Sequence, residues 1–535
     1  MDANRTVQFQ RKRNNFVNIP QRGSRRIAQI IDTMELSDAM RSGILDILRE
    51  GCRALWKPDR NRKKPLYLQI SEHIEQRISF GELPPGSLLP SERKLAEQLG
   101  VNRSTIVQAY EELRASGMIE RAAGSGTRVS KHKWGMAPKQ TPNWNRYVEG
   151  GTFLPNLPFM RRIREGIQRG NAFINFASGE LSHDLSPNES IQDILANEPF
   201  REALNYGEPQ GFLPLRTSLT SFLKEQREIN ATNESILVTS GSQQSLYLIT
   251  QCLLSPGDAI AIENPSYGYS LPMFQSAGLR LYGLPVDEHG VHPDDIRRLY
   301  RQHRIRMVFL NPNYQNPTGT VLSDERRSAV LDVCEQLGIP IVEDDPFSLT
   351  SFDEPSPPPL KTIDRNGSVI YIGSLSKVAA SGLRIGWMVA PQSVIHRLAD
   401  ARLQMDFGLS IFPQWVASHL LQTQELDKHM QRLRTSLKRR RDLLIDALRA
   451  ELPEMLSFEV PKGGLNLWCK LAEPADDELL LENGIKKGVL FVPGSVYGTE
   501  PGYVRLSYAR PPEDDIGTGV LRFAEALRTT YDRRA

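Results

Sequence analysis

The chain has 535 residues, 39% hydrophobic and 24% charged, which suits two or three soluble globular domains rather than one. Its four cysteines are scattered without a CxxC pair, and no run of about 18 apolar residues occurs, which excludes a disulfide framework, a zinc site and a membrane span. The net charge of +3 hides an asymmetry: residues 1–150 carry 26 Lys and Arg against 16 Asp and Glu, the remainder 40 against 47. A basic front end on an acidic body points to a polyanion-binding module fused to something else.

Residues 1–64 are arginine-rich and stand apart as a basic extension without an assigned function. An apolar period at Ile27, Ile30, Ile31 and Met34 is compatible with a helix there. From Pro65 the pattern sharpens. Ile70, Ile74 and Ile78 fall four apart, so LYLQISEHIEQRI reads as an amphipathic helix ended by GELPPG. Ser91 is a good N-cap, and a short helix over 94–99 is expected to pack through Leu95 and Leu99. Gly100 permits a turn, and Asn102 or Arg103 opens a second helix buried through Ile106, Tyr110 and Leu113. Two short helices joined by such a turn describe a helix-turn-helix, whose second helix can enter the major groove. GMIERAAGSGTRVS then reads as a two-stranded wing turning at Gly124 and Gly126. Arg93, Arg103, Ser104 and Thr105 remain on the outer face, where guanidinium, hydroxyl and helix N-terminal amides suit bases and phosphates.

The stretch LPSERKLAEQLGVNRSTIVQAYEELRASGMIERAAGSGTRV closely resembles the winged helix-turn-helix of GntR-type bacterial transcription regulators. The resemblance implies a DNA-binding domain over 65–132. It also implies that Arg93, Arg103, Ser104, Thr105, Gly124 and Gly126 face a double-stranded operator.

Residues 133–170 hold prolines, tryptophans and charges without a sustained period and read as a linker, with a helix expected from Pro158 to Arg169 at its far end. Beyond residue 170, short apolar runs alternate with helical patterns, the mark of βαβ units and a mostly parallel sheet. SILVTS, DAIAIEN, RMVFLNP, IPIVEDD and SVIYIGS are the clearest strands. Ligands bind beyond the carboxyl ends of such strands. There stand Gly241-Ser242-Gln243, Tyr267, Asn316, Asp344 with Asp345, and Lys377 flanked by Ser374 and Ser376 with Arg384 near. Singly, each leaves two readings open: phosphate cradle or tight turn, stacking ring or core filler, ligand carboxylate or solvated one, reactive amine or snorkelling lysine. Together they meet the needs of pyridoxal 5'-phosphate (PLP): an amine for its aldehyde, a carboxylate for its pyridine nitrogen, a ring to stack on it and a cradle for its phosphate.

TSGSQQ, NPNYQNPTG, VEDDPF and SLSKVAASGLRIGW, in that order, resemble the motifs of fold-type I aminotransferases. The resemblance implies a PLP-binding and effector domain over 171–535, with a mostly parallel central sheet and a smaller C-terminal α+β subdomain. By it, Lys377 is the cofactor lysine, Asp344 the pyridinium partner, Asn316 the bond to the ring hydroxyl and Tyr267 the stacking ring. Ser242, Gln243, Ser374, Ser376 and Arg384 would hold the phosphate, Arg505 with Gly179 a substrate carboxylate. Tyr206 would reach the phosphate of a partner subunit, so a homodimer is implied. Phe347 stands where many of these enzymes place a tyrosine, which casts doubt on efficient transamination.

A GntR-type head joined to an aminotransferase-like body resembles the MocR/GabR-type transcription regulators. That resemblance implies a cytoplasmic regulator whose PLP-bound domain senses an amino compound, or PLP itself, and alters DNA binding. An active aminotransferase carrying a DNA-binding domain is the alternative. The polar N-terminus, without an apolar signal segment, agrees with a cytoplasmic location. No metal is expected.

Overall fold

The structure is a computed structural model that describes residues 56–122, 126–130, 142–168 and 173–532, apart from positions 61, 63 and 203. It divides into two compact units between Thr152 and Phe153. The extension over 1–55, and with it the expected helix near Ile27, lies outside the described residues, as do Gly124 and residues 131–141.

In the first unit, α1 (Leu66–Ser79) buries Ile70 and Ile74. The next helix, α2 (Glu92–Leu99), begins two residues earlier than its apolar period indicated, because Ser91 Oγ accepts from Lys94 N at 3.3 Å and so fixes the first turn. Ala96 and Leu99 are its buried residues, while Leu95 is half-buried against the same core. Gly100 ends it at φ 64°, a left-handed conformation that glycine adopts without strain. After Asn102, α3 (Arg103–Ala115) buries Ile106, Ala109, Tyr110 and Leu113, and Tyr110 OH donates to Pro90 O at 2.8 Å. The wing is an antiparallel pair, β1 (Ile119–Ala122) with β2 (Gly126–Val129), in register Ile119 to Val129.

The second unit takes in part of the expected linker. Helix α4 (Pro158–Gln168) buries Ile163 in the main core, and a Cβ on its Gly166 would lie 2.9 Å from Leu490. Residues 158–168 therefore belong with the large unit, and the 133–170 linker is shorter on that side.

The central sheet consists of β3 (Ile236–Thr239), β4 (Ala259–Asn264), β5 (Arg280–Asp287), β6 (Gly290–Val291), β7 (Met307–Leu310), β8 (Ile341–Asp344), β9 (Val369–Ser374) and β10 (Gly386–Val389). Helix α5 (Ser242–Cys252) follows β3. Strand order is β3-β10-β9-β8-β7-β4-β5-β6. The block from β9 to β5 is parallel, and β10 runs antiparallel to both neighbours. Both faces are covered: Ile260 and Ile262 of β4 join one apolar cluster, Ala259 and Ala261 the other. That double burial is why these strands read as unbroken apolar runs.

A long helix, α6 (Gln424–Glu451), leads to a four-stranded antiparallel sheet of β11 (Leu456–Phe458), β12 (Asn466–Leu471), β13 (Val492–Pro493) and β14 (Tyr503–Ser507), closed by α7 (Ile516–Asp532). Ile174 and Asn175 pair in parallel with Val489 and Leu490, which ties the start of the large unit to this subdomain. Among the described residues no helix is long and apolar enough to cross a membrane.

Candidate functional site

Antiparallel β10 assembles half of the site. Its pairing sets Gly386 opposite both Ser374 of β9 and Thr239 of β3, so its amino end shares an edge with their carboxyl ends. Arg384 therefore arrives beside the β3–α5 turn, where its Nη2 donates to Ser240 O. The approach demands glycine: a Cβ on Gly386 would lie 2.7 Å from Gly241 Cα, and Gly241 itself sits at φ 112°. Ser242 and Gln243 open α5, whose first amides have no partner within the helix, and Gly241 before them lies against Arg384. At the end of β9, Ser374 Oγ accepts from Ser376 N at 3.1 Å and lies 3.0 Å from Ser376 Oγ. Free amides, two hydroxyls and a guanidinium make an anion cradle.

Lys377 follows immediately. Its Nζ donates to Gly179 O at 2.6 Å, and a Cβ on Gly179 would lie 3.8 Å from that nitrogen. Burial pushes the Lys377 amine down to about 8, with Arg505 and Arg384 acting in the same direction against Glu180 and Asp344. Asp344, at the end of β8, is pushed up to about 7, first by burial and then by the neighbouring Asp345; a hydrogen bond from Ser242 and the Lys377 charge oppose this. Its Oδ1 is buried without a hydrogen-bond partner. A carboxylate oxygen left unbonded in an enclosed site fits a missing cationic donor, and a protonated pyridine nitrogen is such a donor.

Asn316, Arg505 and Tyr267 form the facing wall. Arg505 Nη1 donates to Asn316 Oδ1 at 3.1 Å, Nη2 donates to Ala177 O, and the guanidinium lies 5.3 Å from the Tyr497 ring centroid. Its Nε is buried without a partner. Tyr267 N donates to Asn316 O at 2.9 Å. Burial raises its phenol, as does Asp344, while Arg505 and Arg384 oppose.

The structure thus gathers Lys377, Asp344, Asn316, Tyr267, Arg384, Arg505, Gly179, Ser242, Ser374 and Ser376 around one space, with Gln243 exposed at its rim. Tyr206 is not brought there within the chain; it is 85% exposed, its ring 5.5 Å from Phe407. Phe347 is 2% exposed and packs in the main core. The residues read alone left Asp344 and Asp345 side by side, and the aminotransferase resemblance chose Asp344; in the structure it is Asp344 that faces Lys377. Asp345 is held from behind by Arg227 Nη2 at 3.3 Å and Tyr371 OH at 3.0 Å. Sequence reasoning also missed the support beneath Asn316. Asn311 Oδ1 accepts from Asn316 N at 2.8 Å, and its Nδ2 donates to Asp344 O at 2.7 Å. Buried Glu263 in turn accepts from Asn311 N at 2.9 Å. The first asparagine of NPNYQNPTG was the available signal.

In the first unit Arg93, Arg103 and Ser104 are exposed at the starts of α2 and α3, with Thr105 half-buried and Gly126 exposed in the wing. Arg103 Nη2 pairs with Glu92 at 2.9 Å, and Arg121 of the wing approaches the same carboxylate at 3.9 Å, so both cations sit on one face.

A winged helix with an exposed basic face, followed by a strand-end site of the PLP-enzyme type, defines a two-part class: a DNA-binding head carried by an aminotransferase-fold body. Residues 66–129 match the model of bacterial regulatory proteins of the gntR family, and 171–523 that of aminotransferase class I and II. The chain is 40% identical over 475 residues to the uncharacterized HTH-type transcriptional regulator YdfD of Bacillus subtilis, covering 88% of this chain and 98% of that one. It is 32% identical over 433 residues to the HTH-type transcriptional regulator NorG of Staphylococcus aureus, covering 80% and 96%. Kynurenine aminotransferase of Pyrococcus horikoshii superposes with a TM-score of 0.65 at 31% identity, over 69% of this chain and 94% of that one. LysN, an α-aminoadipate aminotransferase of Thermus thermophilus complexed with N-(5'-phosphopyridoxyl)-L-leucine, does so at 0.66 and 28%, over 73% and 99%. The chain belongs to the MocR/GabR-type transcription regulators, which join these two domains.

The lowered Lys377 value has a measurable consequence. Only the neutral amine attacks an aldehyde, and at pH 7 about a tenth of a lysine titrating near 8 is neutral, against less than about one in a thousand for an ordinary lysine. If Lys377 is the group that captures PLP, the rate of capture is expected to rise with pH and level off above about 8. Continued rise toward pH 10 would place Lys377 in open solvent instead. Stopped-flow absorbance across a pH series reads the difference.

Proposed function

We propose that this regulator binds PLP through Lys377 and alters its DNA binding when an amino compound, or PLP itself, occupies the site. Asp344 carries the reading: its buried, unbonded Oδ1 faces a space lined by a lysine whose amine is kept reactive. When bound, PLP supplies an aldehyde to the lysine and an electron-accepting ring. Asp344 would hold the ring nitrogen protonated, Tyr267 would stack on the ring, and Asn316 would bond its hydroxyl. Ser242, Gln243, Ser374, Ser376 and Arg384 would hold the phosphate.

Arg505, with Gly179 beside it, would take the carboxylate of the incoming amino compound. Two of its N–H groups are already committed to Asn316 and Ala177, which fixes the fork and leaves the others for a bidentate anion. The protein would act as a homodimer in which Tyr206 reaches the partner's phosphate cradle; Leu204, Tyr206 and Phe407, 80%, 85% and 62% exposed, supply an apolar surface for that contact. An effector can shift DNA binding only by its difference in affinity for the two arrangements of the body. The head would act in the cytoplasm on operator DNA.

The test is an absorption titration of PLP-loaded protein with amino acids one at a time, with operator affinity followed in parallel. The expected result is one compound that displaces the lysine-bound band persistently and changes DNA affinity. Release of a keto acid with full turnover would favour the enzyme reading, against which buried Phe347 weighs by removing one cofactor hydrogen bond, worth about 1 kcal/mol.

A further inference from the structure

The segment ahead of the winged helix has no role so far, yet its described residues are docked on the head. Trp56 stacks on His73 of α1, ring centroids 4.1 Å apart and planes within 9°. Pro58 is buried. Gln69 of α1, itself 6% exposed, holds the segment's backbone with both ends of its amide. Its Oε1 accepts from Asp59 N at 3.0 Å, and its Nε2 donates to Asp59 O at 3.0 Å and Lys64 O at 2.7 Å. Arg60 then crosses to the helix-turn-helix and donates through Nη2 to Gly100 O at 2.8 Å, three residues before Arg103.

A buried glutamine bonded at every turn to the backbone of another segment fixes that segment's position. What it fixes here is charge. Lys57, Arg60, Arg62 and Lys64 stand against Asp59, and the residues carrying these cations are exposed. Lys64 is paired with Glu72, whereas Arg62 lies 3.7 Å from Asp59 with a side chain 73% exposed. If α3 enters the major groove, Arg60, held beside its leading turn, with exposed Arg62 two residues on, faces the phosphates that border the groove.

We propose that the described residues between 56 and 64 form a strap that contacts the DNA backbone beside the site read by α3. The strap rests on the DNA reading of the head and adds affinity without adding sequence preference.

The test measures binding of the full chain to a mixed-sequence duplex of about 40 base pairs over a salt series. Phosphate contacts are independent of sequence, and each one lost lowers the slope of log K against log salt by about 0.9. Arg60→Ala with Arg62→Ala is expected to lower the slope by about 1–2, and lysine at both positions to restore it. Trp56→Ala keeps every charge but removes the stack, and is expected to lower the slope as well. The strap is overturned if the double variant keeps the parental slope while Arg103→Ala reduces it. Weaker binding at an unchanged slope also counts against it, since that is what a purely structural prop for the Gly100 turn would give. Should Arg103→Ala leave the slope unaltered too, the DNA reading of the head fails and the strap falls with it.

Discussion

Lys377→Ala is expected to abolish covalent capture of PLP while leaving the fold and the DNA-binding head intact. In the proposed function the amine is the nucleophile, and no other described lysine is placed opposite Asp344 and beside the Arg384 cradle. After borohydride treatment the parent should carry one cofactor per chain and the variant none. Lys377→Arg should behave like the alanine variant, because a guanidinium keeps the charge but does not attack an aldehyde. Stability should change little. The side chain loses its 2.6 Å bond to Gly179 O, worth about 1 kcal/mol. Against that, its folded value of about 8 lies below the ordinary lysine value. A group depressed in this way costs stability at every pH below its unfolded value, so its removal offsets the lost bond. The variant should still bind DNA but no longer respond to PLP or to any amino compound. Retained response with no fixed cofactor would separate sensing from Lys377 altogether.

How far the sequence went depended on which physical signal each residue left. The head was legible because its apolar stripes, its Ser91 cap and its Gly100 turn are local, and local chemistry decides short helices. The parallel strands were legible because burial on both faces leaves unbroken apolar runs. The short strand β10 was not read as a strand, since four residues after a lysine-bearing loop offer no period. It is nonetheless the element that carries Arg384 to Gly241. The pair Asp344 and Asp345 shows the same limit more sharply. Adjacent residues on a strand end point opposite ways, so the period alone does not say which one meets the site; the resemblance chose Asp344, and the partner that occupies Asp345, Arg227, lies 118 residues away in sequence. The support of Asn316 by Asn311 and Glu263 is non-local in the same sense.

That hidden partner gives the second large effect. Arg227→Leu is expected to destabilise the large unit by about 3–5 kcal/mol, because it leaves the buried Asp345 carboxylate without its ion-paired guanidinium and with only the farther Arg327 charge to answer it. The side chains of the two residues are 6% and 1% exposed, so water does not take the place of the lost guanidinium. Tyr371 OH at 3.0 Å and Ser348 Oγ still bond Asp345, but neither carries charge. The double variant Arg227→Leu with Asp345→Asn should recover most of the loss, since neutral groups of similar volume cost far less to bury than a lone ion. Urea unfolding of the parent, both single variants and the double variant measures the coupling directly. A second readout ties the pair to the site. Asp345 already raises Asp344, and Arg227 is the cation that answers Asp345 from behind. With Arg227 gone, the more weakly answered charge should push Asp344 further up and weaken PLP retention at neutral pH, more than Leu at an unrelated buried arginine such as Arg440 would. If Arg227→Leu lowers stability but leaves cofactor retention at the parental level, the pair serves the core alone and Asp344 draws its character from burial.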